Sequence, residues 1–217
     1  VSTESGIPDF RSETGIYNTI KRYKRSPEEI LSHSFFMAHP DIFYDFYKST
    51  MLYMDAKPNA AHIALAKLEE MGKLKAIVTQ NIDGLHQAAG SKNVLELHGS
   101  IHRNYCMRCG KKYDAAYVKN SDGIPKCECG GTIRPDVVLY EEGLDSVIIQ
   151  KSISAIANAD MLIIGGTSLV VYPAAGFIDY FRGKNLVVIN KDTTAREVGA
   201  SLTIHEPIGE VLSKICC

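Results

Sequence analysis

The sequence predicts an α/β protein in which a parallel sheet is covered by helices on both faces. Three observations support this class. Short apolar or β-branched runs alternate with helical patterns, polar side chains follow directly after several of these runs, and two segments of other character interrupt the alternation. Alternating strands and helices are typical of parallel sheets, because each crossover lays a helix on the sheet. The two interrupting segments predict a second, smaller unit.

The regular elements can be assigned in chain order. An alanine-rich amphipathic helix over 59–71 stops at Gly72, and a buried strand over 74–79 comes next. Further apolar runs predict strands at 94–97, 160–165 and 185–190, with an extended run at 137–140 after Pro135. Helical patterns cover 144–157 and 173–182. We therefore predict one larger domain from residues 1–16, 59–101 and 135–217.

The two interrupting segments predict the smaller domain. Residues 17–58 are rich in aromatic side chains and read as helices packed on one another, whereas residues 102–134 hold four cysteines. Cys106 and Cys109 have C-x-x-C spacing, and Cys127 and Cys129 have C-x-C spacing, with glycines beside both pairs. Four thiolates so spaced can form a tetrahedral zinc site, although the second pair is one residue shorter than usual.

A disulfide pair or unrelated buried cysteines are the alternatives to zinc at these four positions. A four-thiolate site has no open coordination position, so the metal is expected to build structure, and the chemistry is expected elsewhere. Residues 17–58 and 102–134 are then a helical insertion and a zinc ribbon that together form the small domain.

Composition and charge narrow the classes of partner. The chain of 217 residues is 45 % hydrophobic and 23 % charged, with a formal net charge of −1. This is ordinary globular composition, and nothing indicates binding to nucleic acid or to a membrane through overall charge. The apolar runs are too short to cross a bilayer. Cysteines at metal spacing indicate a reducing compartment, so a cytoplasmic location is expected.

Polar side chains collect after four of the predicted strands. They are found at 80–86, 98–100, 165–169 and 190–192, and they supply amides, hydroxyls, a carboxylate and an imidazole. Ligands of parallel α/β proteins bind beyond the carboxyl ends of the strands. These groups suit ribose hydroxyls, a carboxamide and phosphate oxygens, so we expect a nucleotide-type ligand there.

Each of these polar groups also has an ordinary structural explanation. Residues 80–83 could simply cap the next helix, the Gly-Thr-Ser loop could be a turn, and His98 could be a structural histidine. His62 and His86 are expected on helix surfaces. A G-x-G-x-x-G fingerprint does not occur in the sequence, which disfavours an ordinary dehydrogenase.

Six motifs in a fixed order carry a family resemblance. They are the two cysteine pairs, taken as one motif, and the segments VSTESGIPDFR (1–11), TQNIDGLH (79–86), ELHG (96–99), RPDVV (134–138) and GTSL (166–169). The chain resembles the sirtuins, NAD-dependent protein-lysine deacylases, of the prokaryotic type, over essentially its whole length. The resemblance implies a Rossmann-like domain plus a small zinc-bearing domain, with NAD and acetyl-lysine meeting in the cleft between them.

The resemblance also implies roles for individual residues. His98 would be the general base, with Asn81 as the second catalytic residue, and Val138 and Tyr140 would bind the acyl-lysine segment as an added strand. Zinc would be held by Cys106, Cys109, Cys127 and Cys129. The positions implied to bind NAD are Thr3, Phe10, Arg11, Gln80, Asn81, Ile82, Asp83, His98, Gly166, Thr167, Ser168, Asn190, Asp192 and Ile208.

Three departures from the family pattern lead to further expectations. The family's Gly-Ala-Gly turn and its preceding strand would stand immediately before Val1, so the natural protein is expected to be longer by roughly twenty residues or more. Glu141 stands where the family usually has glycine. Tyr47 stands where relatives that favour succinyl-lysine have an arginine, so neutral acyl groups, acetyl first, are expected. The competing functions are a mono-ADP-ribosyltransferase of the same fold and a non-enzymatic zinc-ribbon binding module.

Overall fold

Parallel strands dominate the larger part of the computed structural model, which describes residues 1–8, 20–167, 169, 171–193 and 197–215. Within these ranges, two parallel sheets have the strand orders β1-β2 and β6-β7-β8, and an antiparallel sheet has the order β4-β3-β5. The strands are β1 (Ile77–Thr79), β2 (Val94–Glu96), β3 (Gly99–Cys106), β4 (Lys112–Tyr113), β5 (Ile133–Val137), β6 (Met161–Gly165), β7 (Asn185–Ile189) and β8 (Leu202–Ile204).

The described helices are short. They are α1 (Ile20–Tyr23), α2 (Pro27–Ile30), α3 (His33–Ala38), α4 (Pro40–Thr50), α5 (Ala60–Glu70), α6 (Leu85–Ala88), α7 (Ala115–Asn120), α8 (Ser146–Ala157) and α9 (Ile208–Ile215), with 3₁₀ helices at Ser2–Ser5 and Ala174–Tyr180. None of the helices in the described ranges is long and apolar enough to span a membrane.

Neighbouring residues of β6 show that helices cover both faces of its sheet. Ile163 packs into a cluster with Ala61 of α5 and Leu212 of α9. Its neighbour Leu162 packs into a different cluster, with Ile156 of α8. Because successive side chains of a strand point to opposite faces, α5 and α9 lie on one face and α8 lies on the other. The predicted α/β class with a helix-covered parallel sheet is confirmed.

The aromatic segment and the cysteine segment share one core. Phe36, Phe43 and Tyr47 of α3 and α4 pack in a single cluster with Ile101 of β3 and Ile133 of β5. These five side chains are at most 2 % exposed, so α3 and α4 are buried against the antiparallel sheet. A shared core of this kind supports the predicted pairing of 17–58 with 102–134 in a small domain, which remains our proposal.

Several elements differ from the predicted bounds for physical reasons. The strand predicted over 74–79 begins at Ile77, because the N–H groups of Lys73 and Leu74 both donate to the Leu68 carbonyl at 2.9 and 3.0 Å and close the end of α5. The helix predicted over 173–182 is a 3₁₀ helix. The run predicted over 137–140 belongs to β5 only at its first residue.

His62 and His86 are buried, so their predicted placement on helix surfaces is wrong. Their side chains are 0 % and 5 % exposed, and the two ring centroids lie 4.7 Å apart. His62 takes the third position of a capping box: its Nδ1 accepts the Asn59 N–H at 3.2 Å, and Asn59 Oδ1 accepts the N–H groups of Ala61 and His62. The cap turns the His62 ring inward, where burial, followed by the charge of His86, lowers its pKa to about 4.

The burial of His62 predicts that part of the free energy of unfolding is lost at acidic pH. Between pH 6.5 and about 4 the unfolded chain binds a proton at His62 that the folded chain does not, so the free energy of unfolding falls as the pH drops through this window. At pH 5 the expected loss is about 2 kcal/mol. His62→Gln keeps a capping-box acceptor but cannot be protonated. Urea unfolding at pH 7 and pH 5 should therefore show less acid loss in His62→Gln than in the wild type; parallel losses would contradict the assignment.

Candidate active site

A cleft is lined by the residues that follow β1 and β6 and by those that follow β7. Every described residue to which a cofactor or substrate role was assigned lines this cleft. Phe10, Arg11 and Ser168 lie outside the described residues. The predicted residues on the cleft wall are Thr3, Gln80, Asn81, Ile82, Asp83, His98, Val138, Tyr140, Gly166, Thr167, Asn190, Asp192 and Ile208.

The Ser2 hydroxyl bridges the side chains of Asn81 and Asp83, which follow β1. It donates to Asp83 Oδ2 at 2.6 Å and accepts from Asn81 Nδ2 at 2.7 Å. The other carboxylate oxygen of Asp83 accepts the Leu85 N–H at 2.9 Å, at the first residue of α6, whose N-cap residue is Gly84. Asp83 therefore supports the start of α6 from one position before the cap, while its second oxygen bonds to Ser2.

Sequence reasoning missed Ser2 as a site residue. The signal available was its place in the VSTESG segment beside Thr3, which was assigned a cofactor role. Only the fold shows that the 3₁₀ helix Ser2–Ser5 lies against the turn after β1. Asn59 holds that helix in place, because its Nδ2 donates to the Val1 carbonyl and to Ser5 Oγ, both at 3.0 Å.

His98 presents one ring nitrogen as a proton acceptor. Its Nδ1 lies 3.0 Å from the Gln80 carbonyl oxygen, which can only accept, so Nδ1 carries the proton and Nε2 has the lone pair. Burial lowers the pKa of His98, and the bond to Gln80 opposes that shift in part. The ring is therefore neutral near pH 7.

Gly99 fixes the backbone immediately after this histidine. Its φ is 75°, and a Cβ at this position would overlap the Asp136 carbonyl oxygen. Only glycine fits where β3 approaches β5 so closely. The close approach also lets the Val138 N–H donate to the His98 carbonyl at 3.0 Å, which joins the residue assigned as the base to the segment assigned to the substrate.

The predicted nucleotide-binding residues lie at the ends of β6 and β7. Gly166 has a φ of 57° and its N–H donates to the Ile189 carbonyl at 3.1 Å. Thr167 Oγ1 accepts the Leu169 N–H at 3.2 Å, and Asn190 Nδ2 donates to the Asp192 carbonyl at 3.0 Å. These bonds fix the two loops at one edge of the sheet.

The segment after β5 is attached to the small helices. The Tyr140 N–H donates to the Leu31 carbonyl, and the Tyr140 carbonyl accepts the His33 N–H, both at 3.0 Å. Glu141 has a φ of 75°, which favours glycine, the usual family residue here. Its carboxylate accepts from the N–H and the hydroxyl of Ser34 at 2.8 and 2.9 Å, and these bonds lower the pKa of Glu141. The cap on α3 thus offsets the unfavourable backbone angle.

The four cysteines form one cluster. Their sulfur atoms all lie within 4.8 Å of one another, and all four thiols are free. The Cys106–Cys129 and Cys109–Cys127 sulfur distances are 3.5 and 3.6 Å, too long for disulfides. A zinc–sulfur bond of 2.3 Å places tetrahedral sulfurs about 3.8 Å apart, so the donor set and spacing fit a closed zinc site.

Comparison with known proteins agrees with this geometry. The model of the Sir2 family matches residues 1–173 of the chain. The chain belongs to the Sir2 family. A Sir2-family relative from Clostridium acetobutylicum, called NAD-dependent protein deacetylase, is 64 % identical over 217 residues, covering 99 % of this chain and 89 % of the relative. A protein of the same description from Clostridium perfringens is 62 % identical with the same coverage.

Solved Sir2 structures share the fold. One, with a deacetylated p53 peptide and 3′-O-acetyl ADP ribose, has a TM-score of 0.89 and 40 % identity, covering 99 % of this chain and 88 % of the other. A second, with p53 peptide and NAD⁺, has a TM-score of 0.85 and 39 % identity at the same coverage. The chain therefore shares the Sir2 fold over almost its whole length.

Proposed function

We propose that this chain is an NAD-dependent protein deacetylase that acts on acetyl-lysine and releases nicotinamide, the deacetylated lysine and O-acetyl-ADP-ribose. The observation that carries the proposal is the convergence of His98, the Ser2–Asn81–Asp83 network and the loops after β6 and β7 on one cleft. The names of the relatives and the ligands of the solved Sir2 structures support the same activity.

Different parts of the cleft suit different parts of the cosubstrate. Gln80, Asn81, Ile82 and Asp83 are assigned to the nicotinamide and its ribose, with the Asp83 carboxylate accepting from the carboxamide. Thr3, Phe10 and Arg11 are assigned to the cofactor-binding loop, with Phe10 near the nicotinamide and Arg11 near the pyrophosphate. Gly166 is a further cofactor-binding residue, and the residues assigned to phosphate and the adenosine end are Thr167, Ser168, Asn190, Asp192 and Ile208. Ile208 is buried against Gly165, so it offers an apolar surface suited to the adenine.

The reaction needs a proton acceptor next to the sugar. The overall reaction consumes one water: NAD, acetyl-lysine and water give nicotinamide, lysine and O-acetyl-ADP-ribose. The acyl oxygen replaces nicotinamide on the ribose, and the lysine amine leaves the acyl carbon. His98 Nε2 takes the proton from a ribose hydroxyl, which makes the sugar oxygen a better nucleophile toward the acyl carbon. Nδ1 stays bonded to Gln80, so the ring keeps its orientation while Nε2 gains the proton.

The peptide segment and the metal have supporting roles. Val138 and Tyr140 are assigned to the acetyl-lysine segment along the cleft wall. Their N–H groups already donate to the His98 and Leu31 carbonyls, so strand addition by the peptide would require these bonds to open. Cys106, Cys109, Cys127 and Cys129 hold zinc in a site without an open position, so the metal shapes the small domain and takes no part in the reaction. A cytoplasmic location belongs to the same proposal and is supported by the free cysteines.

The proposed activity has a stoichiometric test. The chain is incubated with NAD and an acetyl-lysine peptide, and nicotinamide and deacetylated peptide are quantified by mass spectrometry. Equal amounts of both products, and no nicotinamide without the peptide, are expected. Nicotinamide release without an acylated peptide would instead indicate ADP-ribosyl transfer or NAD hydrolysis.

The acyl group should be neutral. Tyr47 lines the cleft, is 0 % exposed, and its hydroxyl has no hydrogen-bond partner among the described residues. Burial raises its pKa above the ordinary range, so it stays uncharged and offers a succinyl carboxylate no ion pair. Losing a charge-assisted bond of this kind is worth about 1.5–3 kcal/mol, or roughly tenfold to a hundredfold.

We therefore expect kcat/KM on acetyl-lysine peptide to exceed that on the matched succinyl-lysine peptide by at least about tenfold. Both peptides share one sequence, so flanking contacts cancel. Equal or faster removal of succinyl would contradict the role assigned to Tyr47 and leave the deacylase proposal intact.

A further inference from the structure

The two cysteine knuckles differ in the backbone groups that reach their first sulfur. In the C-x-x-C knuckle, the Arg108 N–H donates to Cys106 Sγ at 3.4 Å. This donor stands two residues after Cys106. In the shorter C-x-C knuckle, the residue two positions after Cys127 is the second cysteine itself, Cys129.

In the short knuckle, the first N–H after the second cysteine bonds to a carbonyl. This N–H belongs to Gly130, and it donates to the Cys127 carbonyl at 2.8 Å. In the longer knuckle the corresponding bond to the carbonyl, at 2.9 Å, comes from Gly110, one position later. The shorter knuckle therefore forms its carbonyl bond one residue earlier than the longer knuckle does. Because the Gly130 N–H donates to the Cys127 carbonyl, it is not available to the Cys127 sulfur.

A side chain stands at the place of the missing donor. The Tyr113 hydroxyl donates to Cys127 Sγ at 3.1 Å. Tyr113 belongs to β4, where it pairs with Asn104 of β3, so its backbone position is set by the sheet that carries the first knuckle. Its ring contacts that of Tyr117 with centroids 4.6 Å apart. The Tyr117 hydroxyl in turn donates to the Lys126 carbonyl at 2.9 Å, next to Cys127.

We propose that Tyr113 is a positioning residue of the zinc site, whose hydroxyl replaces the backbone donor that the shortened C-x-C knuckle has lost. A hydrogen bond to a metal-bound thiolate orients the sulfur and withdraws part of its charge, so that it exchanges less readily with protons and competing chelators. The proposal concerns zinc retention and is independent of the proposed deacetylase activity.

The first test measures zinc release. Purified zinc-loaded wild type, Tyr113→Phe and Tyr117→Phe are mixed with an excess of a chromogenic zinc chelator, and the rate of release is followed. Loss of a side chain that hydrogen-bonds to a metal ligand typically weakens metal binding by about 10- to 100-fold. Tyr113→Phe should therefore release zinc faster by a factor in that range. Tyr117→Phe removes a hydroxyl from the same small cluster without touching a sulfur, and it should release zinc at nearly the wild-type rate.

A second measurement separates positioning from loss of folding. In cobalt-substituted protein, the thiolate-to-metal charge-transfer absorption should shift in Tyr113→Phe and stay unchanged in Tyr117→Phe, because only the first change alters a sulfur's hydrogen bonding. Wild-type circular dichroism in both variants checks the fold. Zinc release by Tyr113→Phe within twofold of the wild type, or equal effects of both variants, would overturn the proposal.

Lengthening the C-x-C knuckle by one residue tests whether the Tyr113 hydroxyl replaces a backbone donor. Inserting one glycine between Glu128 and Cys129 converts C-x-C to C-x-x-C. The inserted glycine then places a backbone N–H two residues after Cys127, in the position that Arg108 has after Cys106. In the Tyr113→Phe background this insertion should bring zinc release back toward the wild-type rate. Failure of the insertion to slow release would contradict the idea that the hydroxyl substitutes for a backbone N–H.

Discussion

His98→Ala is expected to lower kcat/KM for deacetylation by about 10²- to 10⁴-fold, the usual contribution of a general base. The loss should lie in kcat, with the dissociation constant of the acetyl-lysine peptide nearly unchanged, because the His98 backbone, which accepts from Val138, is kept. The measurement is steady-state kinetics at saturating NAD together with a binding titration of the peptide.

Two further variants make this expectation specific. His98→Asn keeps a side-chain donor near the Gln80 carbonyl but cannot accept a proton in catalysis, so it should lose as much activity as the alanine variant. His39→Ala removes an exposed histidine at the junction of α3 and α4, outside the cleft, and should keep wild-type kinetics. Substantial activity in His98→Asn would show that orientation, and not proton transfer, is the contribution of His98.

The pH dependence of the wild type follows from the same group. The active form of His98 is neutral, and burial lowers its pKa below the ordinary 6.5. Activity should therefore persist at pH 6.5 and fall only at more acidic pH, where Nε2 becomes protonated. A fall that begins well above pH 6.5 would require a different base.

Removal of zinc is expected to have the second large effect, which is the unfolding of the zinc ribbon over residues 102–134. Cys106 and Cys127 are part of the buried cluster that includes Phe36 and Ile133. Structural zinc contributes binding free energy on the order of 10 kcal/mol to folding in small zinc domains, so its loss should unfold the ribbon. Cys109→Ser should purify without stoichiometric zinc and should be cut rapidly by trypsin within residues 102–134, where the wild type resists.

Loss of the ribbon should also abolish activity, because its strands begin and end at the site. β3 starts at Gly99, directly after His98, and β5 ends at Val137, directly before Val138. Cys216→Ser and Cys217→Ser, outside both knuckles, provide matched controls that should keep zinc and activity. A zinc-free Cys109→Ser protein with wild-type protease resistance would show that the metal does not hold this domain together.

The sequence allowed the general placement of the site to be predicted, because parallel strands deliver their carboxyl ends to one edge. The segments after β1, β2, β6 and β7 were therefore expected together, and each of them contributes residues to the cleft. The cysteine spacing likewise predicted a cluster that the sulfur distances confirm.

The features that sequence reasoning missed depend on contacts between distant segments. Ser2 became recognisable only when the N-terminal 3₁₀ helix was seen against Asn81 and Asp83. His62 was expected on a surface because helical periodicity does not show that a histidine at the third helical position turns back to cap Asn59. The replacement of glycine by Glu141 is tolerated through Ser34, more than a hundred residues away in the chain.

The role of His98 is tested most directly by the distance between its Nε2 and the ribose hydroxyls in a crystal structure of the chain with NAD and an unacetylated lysine peptide, which lacks the acyl oxygen and cannot react. If His98 is the general base, one ribose hydroxyl lies within about 3 Å of Nε2, with Nδ1 still bonded to the Gln80 carbonyl. A ribose bound well beyond hydrogen-bond reach of His98, or an imidazole turned out of the cleft, would contradict that role.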